Sequence, residues 1–260
     1  MAISRGPKTT TNGLVFCVDA ADKNSYIGSG TTWTDVSGNG NVGTLTNSPT
    51  FNSSNNGSIV FDGTNDYVDF GSNAINQNFD NCSICFWIKP TSFPSSGASP
   101  ISIFGKNDSS CGGGGVNVFI RCNGGVIFST FQSNCPGGGV ESYPSGPLLT
   151  LNSWNLITLV YTRFGPSNGA YLIGYKNLTS GVYINNNANY QAIFNNTATL
   201  KIGYTGTRNI YQGDAFSCGG SYASPAYFAG SIATCLVYNR LLTYTEVLQN
   251  YNATKSRFDL

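Results

Sequence analysis

GSIATCLVYNRLLTYTEVLQNYN, Gly230 to Asn252, is the stretch on which the fold turns. Ser231–Tyr238 is apolar on both alternating faces: Ile232, Leu236 and Tyr238 fall on one, Ala233, Cys235 and Val237 on the other. A strand with that pattern is covered from both sides. Thr243, with Glu246 three residues on, makes a capping box, in which the hydroxyl accepts from the first helical turn and the carboxylate reaches back to the cap amide. Leu242 and Val247 stand where a hydrophobic staple closes over such a cap. The stretch reads as a buried strand, a tight cap, a short helix and a basic tail, which locks the last strand of a β domain in place.

Composition agrees with one all-β domain of 260 residues. Charged residues make up only 10%, against roughly a quarter in an ordinary soluble domain, while aromatics reach 13% and glycines number 32. Such a chain has long polar turns between short strands and enough apolar side chains for a core. A net charge of +1 supplies no attraction to nucleic acid or to an anionic membrane. No run approaches the roughly 18 apolar residues of a membrane span. The opening MAISRGPKTTTNG has no apolar signal core, so the chain is expected to stay where it is made or to leave by another route.

Strands are expected at Leu14–Asp19, Ser58–Phe61, Tyr67–Phe70, Ser83–Lys89, Ile101–Phe104, Val116–Arg121 and Val126–Phe131. Others follow at Trp154–Thr162, Ala170–Tyr175, Gly181–Ile184, Leu200–Tyr204 and Phe228–Tyr238. Turn signals separate them, among them Asp62-Gly63, Asn123-Gly124-Gly125 and Pro166-Ser167-Asn168-Gly169. Nothing before Thr243 has helical periodicity. The expected class is therefore all-β, a two-sheet antiparallel sandwich with a short C-terminal helix.

Several motifs then point to a relative. WTDVSGNGNVGTLTN (Trp33–Asn47), SIVFDGTNDYVDF (Ser58–Phe70), SICFWIKP (Ser83–Pro90), SWNLITLVYT (Ser153–Thr162), LKIG (Leu200–Gly203) and the close through NYNATKSRF (Asn250–Phe258) occur in that order. Together they resemble the concanavalin A-like, laminin-G-like jelly rolls found in virion proteins of tailed bacteriophages, cyanophages in particular. Val42 departs from the pattern, since relatives often carry His there. The resemblance implies a jelly roll over residues 13–252, with residues 1–12 as an arm and 253–260 as a tail. It also implies that Leu14–Asp19 pairs with Ser231–Tyr238, so that both extensions leave from one end. Arg5, Lys8, Lys255 and Arg257 would then gather there, either as solvated ends or as a docking surface. The function implied is a non-enzymatic virion protein, a capsid decoration or fibre-like appendage. Its alternative is a tail receptor-binding domain, and further off stands a glycan-processing enzyme of the same fold. The partners implied are other virion proteins, further copies of the chain and host surface glycans; neither nucleic acid nor membrane is expected.

Catalysis finds little support in the residues. The chain has no histidine and two glutamates, Glu141 and Glu246; the cap claims Glu246, and Glu141 falls in a Gly-rich loop. The paired carboxylates of a glycosidase are thus missing, unless Asp62, Asp66 and Asp69 supply them, and these read as turn formers. No catalytic, cofactor-binding or metal-binding residue is assigned. Asp35, Ser37, Asn39 and Gly40 match the first half of a calcium loop, but Thr46 stands where the acidic twelfth ligand belongs; the resemblance admits a calcium and the residues favour a turn. Tyr143, Tyr211, Tyr222 and Tyr227 lie in polar segments and could stack on sugars or on protein. The sequons, such as Asn52 and Asn177, follow from composition.

The cysteines number eight. Cys82 and Cys85 are read as strand thiols on opposite faces rather than a metal or redox pair, and Cys17 and Cys235 as buried thiols. A tight turn at Asn123-Gly124-Gly125 brings Cys111 and Cys135 to the base of one hairpin, where a disulfide is open to them. Cys218 is a competing partner, and a reducing compartment of assembly counts against any bridge.

Overall fold

The computed structural model describes residues 8–106, 115–130, 141–145, 148–164, 170–185, 193–194, 196–205 and 226–260. Among these the strands are β1 (Leu14–Asp19), β2 (Thr32–Thr34), β3 (Val42–Thr46), β4 (Thr50–Asn52), β5 (Ser58–Asp62), β6 (Tyr67–Asp69), β7 (Asn81–Pro90) and β8 (Ile101–Lys106). They continue as β9 (Val116–Ile120), β10 (Val126–Thr130), β11 (Glu141–Ser145), β12 (Asn155–Thr162), β13 (Ala170–Lys176), β14 (Thr179–Asn185), β15 (Leu200–Ile202) and β16 (Ala229–Tyr238). Sheet A runs β14-β13-β12-β7-β16-β5-β4, with β1 also on β16; sheet B runs β11-β10-β9-β8-β15-β6-β3-β2. Helix α1 (Tyr244–Thr254) follows β16, and a short 3-10 turn spans Lys255–Phe258. The result is the expected all-β sandwich of two antiparallel sheets with one C-terminal helix.

Sheet A is the middle of three layers, which explains why its strands are apolar on both faces. Toward sheet B, Phe16, Val18, Ile84, Phe86, Leu159 and Val237 join Val68, Phe104, Val118 and Phe128 in the main core. Away from it, Cys85, Trp87, Leu156, Ala233, Leu236 and Tyr238 meet Leu242, Val247 and Phe258 under α1. Cys82 and Cys85 accordingly sit in different cores, each buried.

The first and last strands pair antiparallel as expected, Cys17 opposite Leu236 and Val18 opposite Cys235. The face assignment within β16 needs correction. Ile232 shares the main core with Cys235 and Val237, whereas Ala233 joins Leu236 and Tyr238 under the helix. The cause is a bulge between Ile232 and Thr234, which shifts the period-2 alternation by one residue. It falls where the neighbour of β16 changes from β5 to β1: Ile232 faces Ile59, Thr234 faces Asp19, and Ala20 N donates to Ala233 O (2.9 Å).

β2, β3, β4 and β11 were not anticipated. Three of them border sheet edges and two are only three residues long, too short to show alternation. Glu141, expected in a loop, opens β11. The β9–β10 hairpin closes over Arg121–Gly125, with Val126 opposite Ile120, a looser turn than the tight one expected. Cys122 within that turn is disulfide-bonded, which the sequence reading missed. Cys111, Cys135 and Cys218 lie outside the described residues.

The capping box is present. Thr243 Oγ1 accepts from Glu246 N (3.3 Å), and Glu246 Oε2 accepts from Thr243 N (2.9 Å). Arg240 completes it, donating from Nη1 to Glu246 Oε2 (2.9 Å) and from Nε to Asn12 O (2.8 Å). The guanidinium holds the Glu246 carboxyl down to about 2, helped by Thr243. This support is therefore present above the ordinary carboxylate range and is lost as pH falls toward 2. Thr243→Ala is expected to lower stability by about 1 kcal/mol, read from urea or thermal unfolding. Unchanged stability in both Thr243→Ala and Glu246→Ala would contradict the cap.

Residues at the two ends are built into the outer layer. Thr10 N donates to Asn250 Oδ1 (2.8 Å), Tyr238 OH to Thr10 O (3.1 Å) and Gln249 Nε2 to Lys8 O (2.7 Å). Arg257 donates to Asn55 O (2.6 Å) and Gly57 O and pairs with Asp19 Oδ1 (2.7 Å). Of the four basic residues expected at one end, Arg257 is thus spent inside the domain, and Arg5 lies outside the described residues.

Candidate functional site

The outer face of sheet B carries a row of residues set directly opposite one another by register. Thr44 faces Asp69, Asp69 faces Lys201, Lys201 faces Gly105, and Gly105 faces Asn117. Their neighbours Val68, Phe70, Leu200 and Ile202 point the other way, into the core, as strand alternation requires. Thr44, Asp69 and Lys201 are open to solvent in part, whereas Gly105 and Asn117 are buried.

Beside the open part of this row stands a cluster of three tyrosines. Tyr204 and Tyr227 stack with ring centroids 3.9 Å apart and planes 16° from parallel, and Tyr67 leans toward Tyr204 at 6.4 Å. All three are half-buried. Burial and the neighbouring Tyr227 raise the Tyr204 phenol above its ordinary range. The Lys201 ammonium lies 4.8 Å from the Tyr67 ring centroid and 3.8 Å from Asp69 Oδ2. The backbone brings these groups together: Tyr67 and Asp69 share a face of β6, Lys201 is on β15, and Gly203 (φ +89°) turns the chain into Tyr204. A side chain at Gly203 would meet Phe61 at 2.8 Å, so the approach needs glycine. The arrangement offers flat aromatic surface beside one acceptor and one donor, the chemistry that holds the apolar and hydroxyl faces of a sugar.

Of the four tyrosines expected to contact sugars, Tyr227 is in this cluster. Tyr143 lies on β11, and Tyr211 and Tyr222 lie outside the described residues. From the sequence alone Tyr67 and Tyr204 stand only as ends of strands. The available signal was alternation, since Tyr67 and Asp69 bracket the inward Val68.

The aspartates behave mainly as turn formers. Asp62 Oδ1 accepts from Thr64 N (2.7 Å) and Asn65 N (3.2 Å), and the Thr64 amide leads in lowering its pKa. Asp66 is buried, accepts from Asp62 N through Oδ2 (3.1 Å), and has no hydrogen bond at Oδ1. Desolvation raises its pKa. Opposite shifts in neighbouring carboxyls are also the mark of an acid–base pair, but here one member is enclosed in the turn and the other caps it. Asp35 is likewise engaged: Oδ1 accepts from Cys17 N and Ser37 N (2.8 Å each) and Oδ2 from Asn41 Nδ2 (2.6 Å). The calcium-like fragment is thereby a loop fastened to β1. Asn177 Oδ1 accepts from Leu156 N (2.9 Å), a structural use of one sequon. No group of three or more metal-ligating side chains occurs among the described residues.

A family model described as the concanavalin A-like lectin/glucanases superfamily matches residues 62–248. No curated protein matches the chain. Among solved structures, the binding domain of Paraclostridial Mosquitocidal Protein 1 superposes with a TM-score of 0.64 at 14% identity, over 93% of this chain and 52% of that one. The botulinum neurotoxin serotype D ligand binding domain in complex with N-acetylneuraminic acid gives 0.62 at 14% identity, over 93% and 51%. Domain 4 of AbnA, a GH43 extracellular arabinanase from Geobacillus stearothermophilus, in complex with arabinotriose, gives 0.58 at 14% identity, over 92% and 98%. The chain spans about half the length of the toxin domains and nearly all of the arabinanase domain; at such identity the likeness is one of fold. The family match covers most of the chain and the two-sheet sandwich is in place, so the protein belongs to the concanavalin A-like lectin/glucanases superfamily.

Proposed function

We propose that this domain is a glycan-binding module without catalytic activity, and that it contacts sugar through Tyr67, Tyr204 and Tyr227 beside Asp69 and Lys201. The observation that carries the reading is the half-buried tyrosine cluster bordered by a hydrogen-bonding row on the outer face of sheet B. The fold neighbours solved with N-acetylneuraminic acid and with arabinotriose add support at the level of fold. On a glycan array, Tyr204→Ala should weaken binding about tenfold, with the fold confirmed by an intact thermal transition. No glycan bound by the native chain would end the reading.

The non-catalytic part rests on the use of the carboxylates, with Glu246 held in the cap and Asp62 and Asp66 in their turn. Purified protein is expected to release no reducing ends from polysaccharides. Release that vanishes in Asp66→Asn would show hydrolysis instead.

The setting we propose is the surface of a virion, on the strength of the opening and closing motifs alone. Within it, receptor binding suits a sugar-contact platform better than plain capsid decoration does. Mass spectrometry of stripped capsids against isolated tails decides between them.

A further inference from the structure

From the charge and shape of the Tyr67–Tyr204–Tyr227 platform we infer that its ligand is a short neutral oligosaccharide, not a sialylated, uronic or sulfated one. The inference rests on the glycan-binding reading above and specifies its ligand class.

Charge comes first. Asp66 immediately precedes Tyr67, but its carboxylate is buried and accepts from Asp62 N (3.1 Å) inside the turn. Asp62 spends its carboxylate on Thr64 N and Asn65 N, and Asp69 stands in the contact row. The described residues thus place one acid, Asp69, and one base, Lys201, on the platform. Its ammonium already faces Asp69 Oδ2 (3.8 Å) and the Tyr67 ring (4.8 Å). An anionic sugar would therefore find the one described cation already engaged by Asp69 and Tyr67, with no uncommitted positive charge among the described residues. Carboxylate and sulfate recognition typically uses the guanidinium fork or several cations, and no arginine joins the described part of this platform. A neutral sugar fits the same groups: a carboxylate accepts from hydroxyls, an ammonium donates to them, and Thr44 next in the row can do either.

Shape sets the length. The open row covers β2, β3, β6 and β15, Thr32 standing opposite Thr44, three interstrand steps or about 14 Å. Beyond Lys201 the same row continues into Gly105 and Asn117, both buried. Asn117 is 1% exposed, and neither polar atom of its side chain has a hydrogen-bond partner. The row is thus closed on that side, and a saccharide of two or three units fills the open part.

The test compares arabinotriose and neutral glucan oligosaccharides with 3′-sialyllactose and oligogalacturonate, by array and by calorimetry, at low and at physiological ionic strength. The native chain should retain neutral probes only, with little dependence on salt. Asp69→Lys, checked for an intact melting transition, should weaken neutral binding about tenfold and admit the acidic probes. Tyr204→Phe should bind as the native chain does. Retention of acidic probes by the native chain, weakened about tenfold in Tyr204→Ala, would overturn the neutral class and leave the platform standing. Binding of any probe with undiminished affinity in Tyr204→Ala, or no binding at all, would overturn the platform with it.

Discussion

Raising the pH above about 9 is expected to unfold this domain steeply. Cys82, Cys85 and Cys235 are 0%, 1% and 0% exposed, and burial raises all three thiols, Cys85 to about 12. Unfolded thiols ionise near 8.5. A group whose folded pKa is raised contributes stability that is complete below the unfolded value and is lost as pH rises past it. Each thiol therefore removes about 1.4 kcal/mol per pH unit above roughly 8.5. Tyr238, buried and likewise raised by desolvation, adds to the loss as its unfolded phenol begins to ionise.

Lys106 acts in the opposite sense. Its ammonium is buried, donates to Ser72 O (2.6 Å) and Ala74 O (2.9 Å), and is lowered to about 8 by desolvation. The unfolded chain holds that proton up to about 10.4, so this one group gains stability between about pH 8 and 10.4. Cys17, likewise raised to about 12 by burial, is a fourth such thiol. Four thiols against one lysine leave a net loss of about 3–4 kcal/mol per pH unit above 9, large beside a total stability of about 5–15 kcal/mol. Urea unfolding at successive pH values, without reductant so that the Cys122 disulfide persists, measures the slope. The Cys82→Ala, Cys85→Ala, Cys235→Ala triple variant, which keeps Cys17, should remove most of it. An equal slope in both proteins would remove the thiols as its cause.

Phe258→Ala is expected to cost about 3–5 kcal/mol, although Phe258 lies only two residues before Leu260, the last of the sequence. Its ring is 4% exposed and stacks on Trp87 at 4.2 Å and against Trp154 at 4.6 Å. Arg257 beside it ties Asp19, Asn55 O and Gly57 O together, and Asn55 returns two bonds, Nδ2 to Arg257 O (2.8 Å) and Oδ1 accepting from Trp154 Nε1 (3.1 Å). These residues cover the outer face of sheet A, so their loss exposes two of the three tryptophans. Unfolding midpoints and a red shift in tryptophan emission report the change, with Leu260→Ala, at a residue 48% exposed, as the neutral control. A stability loss below about 1 kcal/mol in Phe258→Ala would show that this layer does not hold the sheet.

What the sequence determined by itself were the features written in local spacing. The apolar runs of β1, β7, β12 and β16 are readable because each strand buries both faces, and the Thr243–Glu246 cap because its partners are three residues apart. The opposite faces of Cys82 and Cys85 follow from an odd separation within one strand. The tertiary structure decided what depends on pairing between distant segments. The Ala233 bulge reverses the faces of β16 where its pairing with β7 slips by one residue and its other neighbour changes from β5 to β1. β2 and β4, three residues each, exist as strands through their partners β3 and β5. The packing of Phe258 and Arg257 depends on Trp87, Asn55 and Asp19, which only the fold brings to one place. The tyrosine platform joins positions 67, 204 and 227, whose contact is set by the register of β6 on β15; side-chain period is a local property, and register is not.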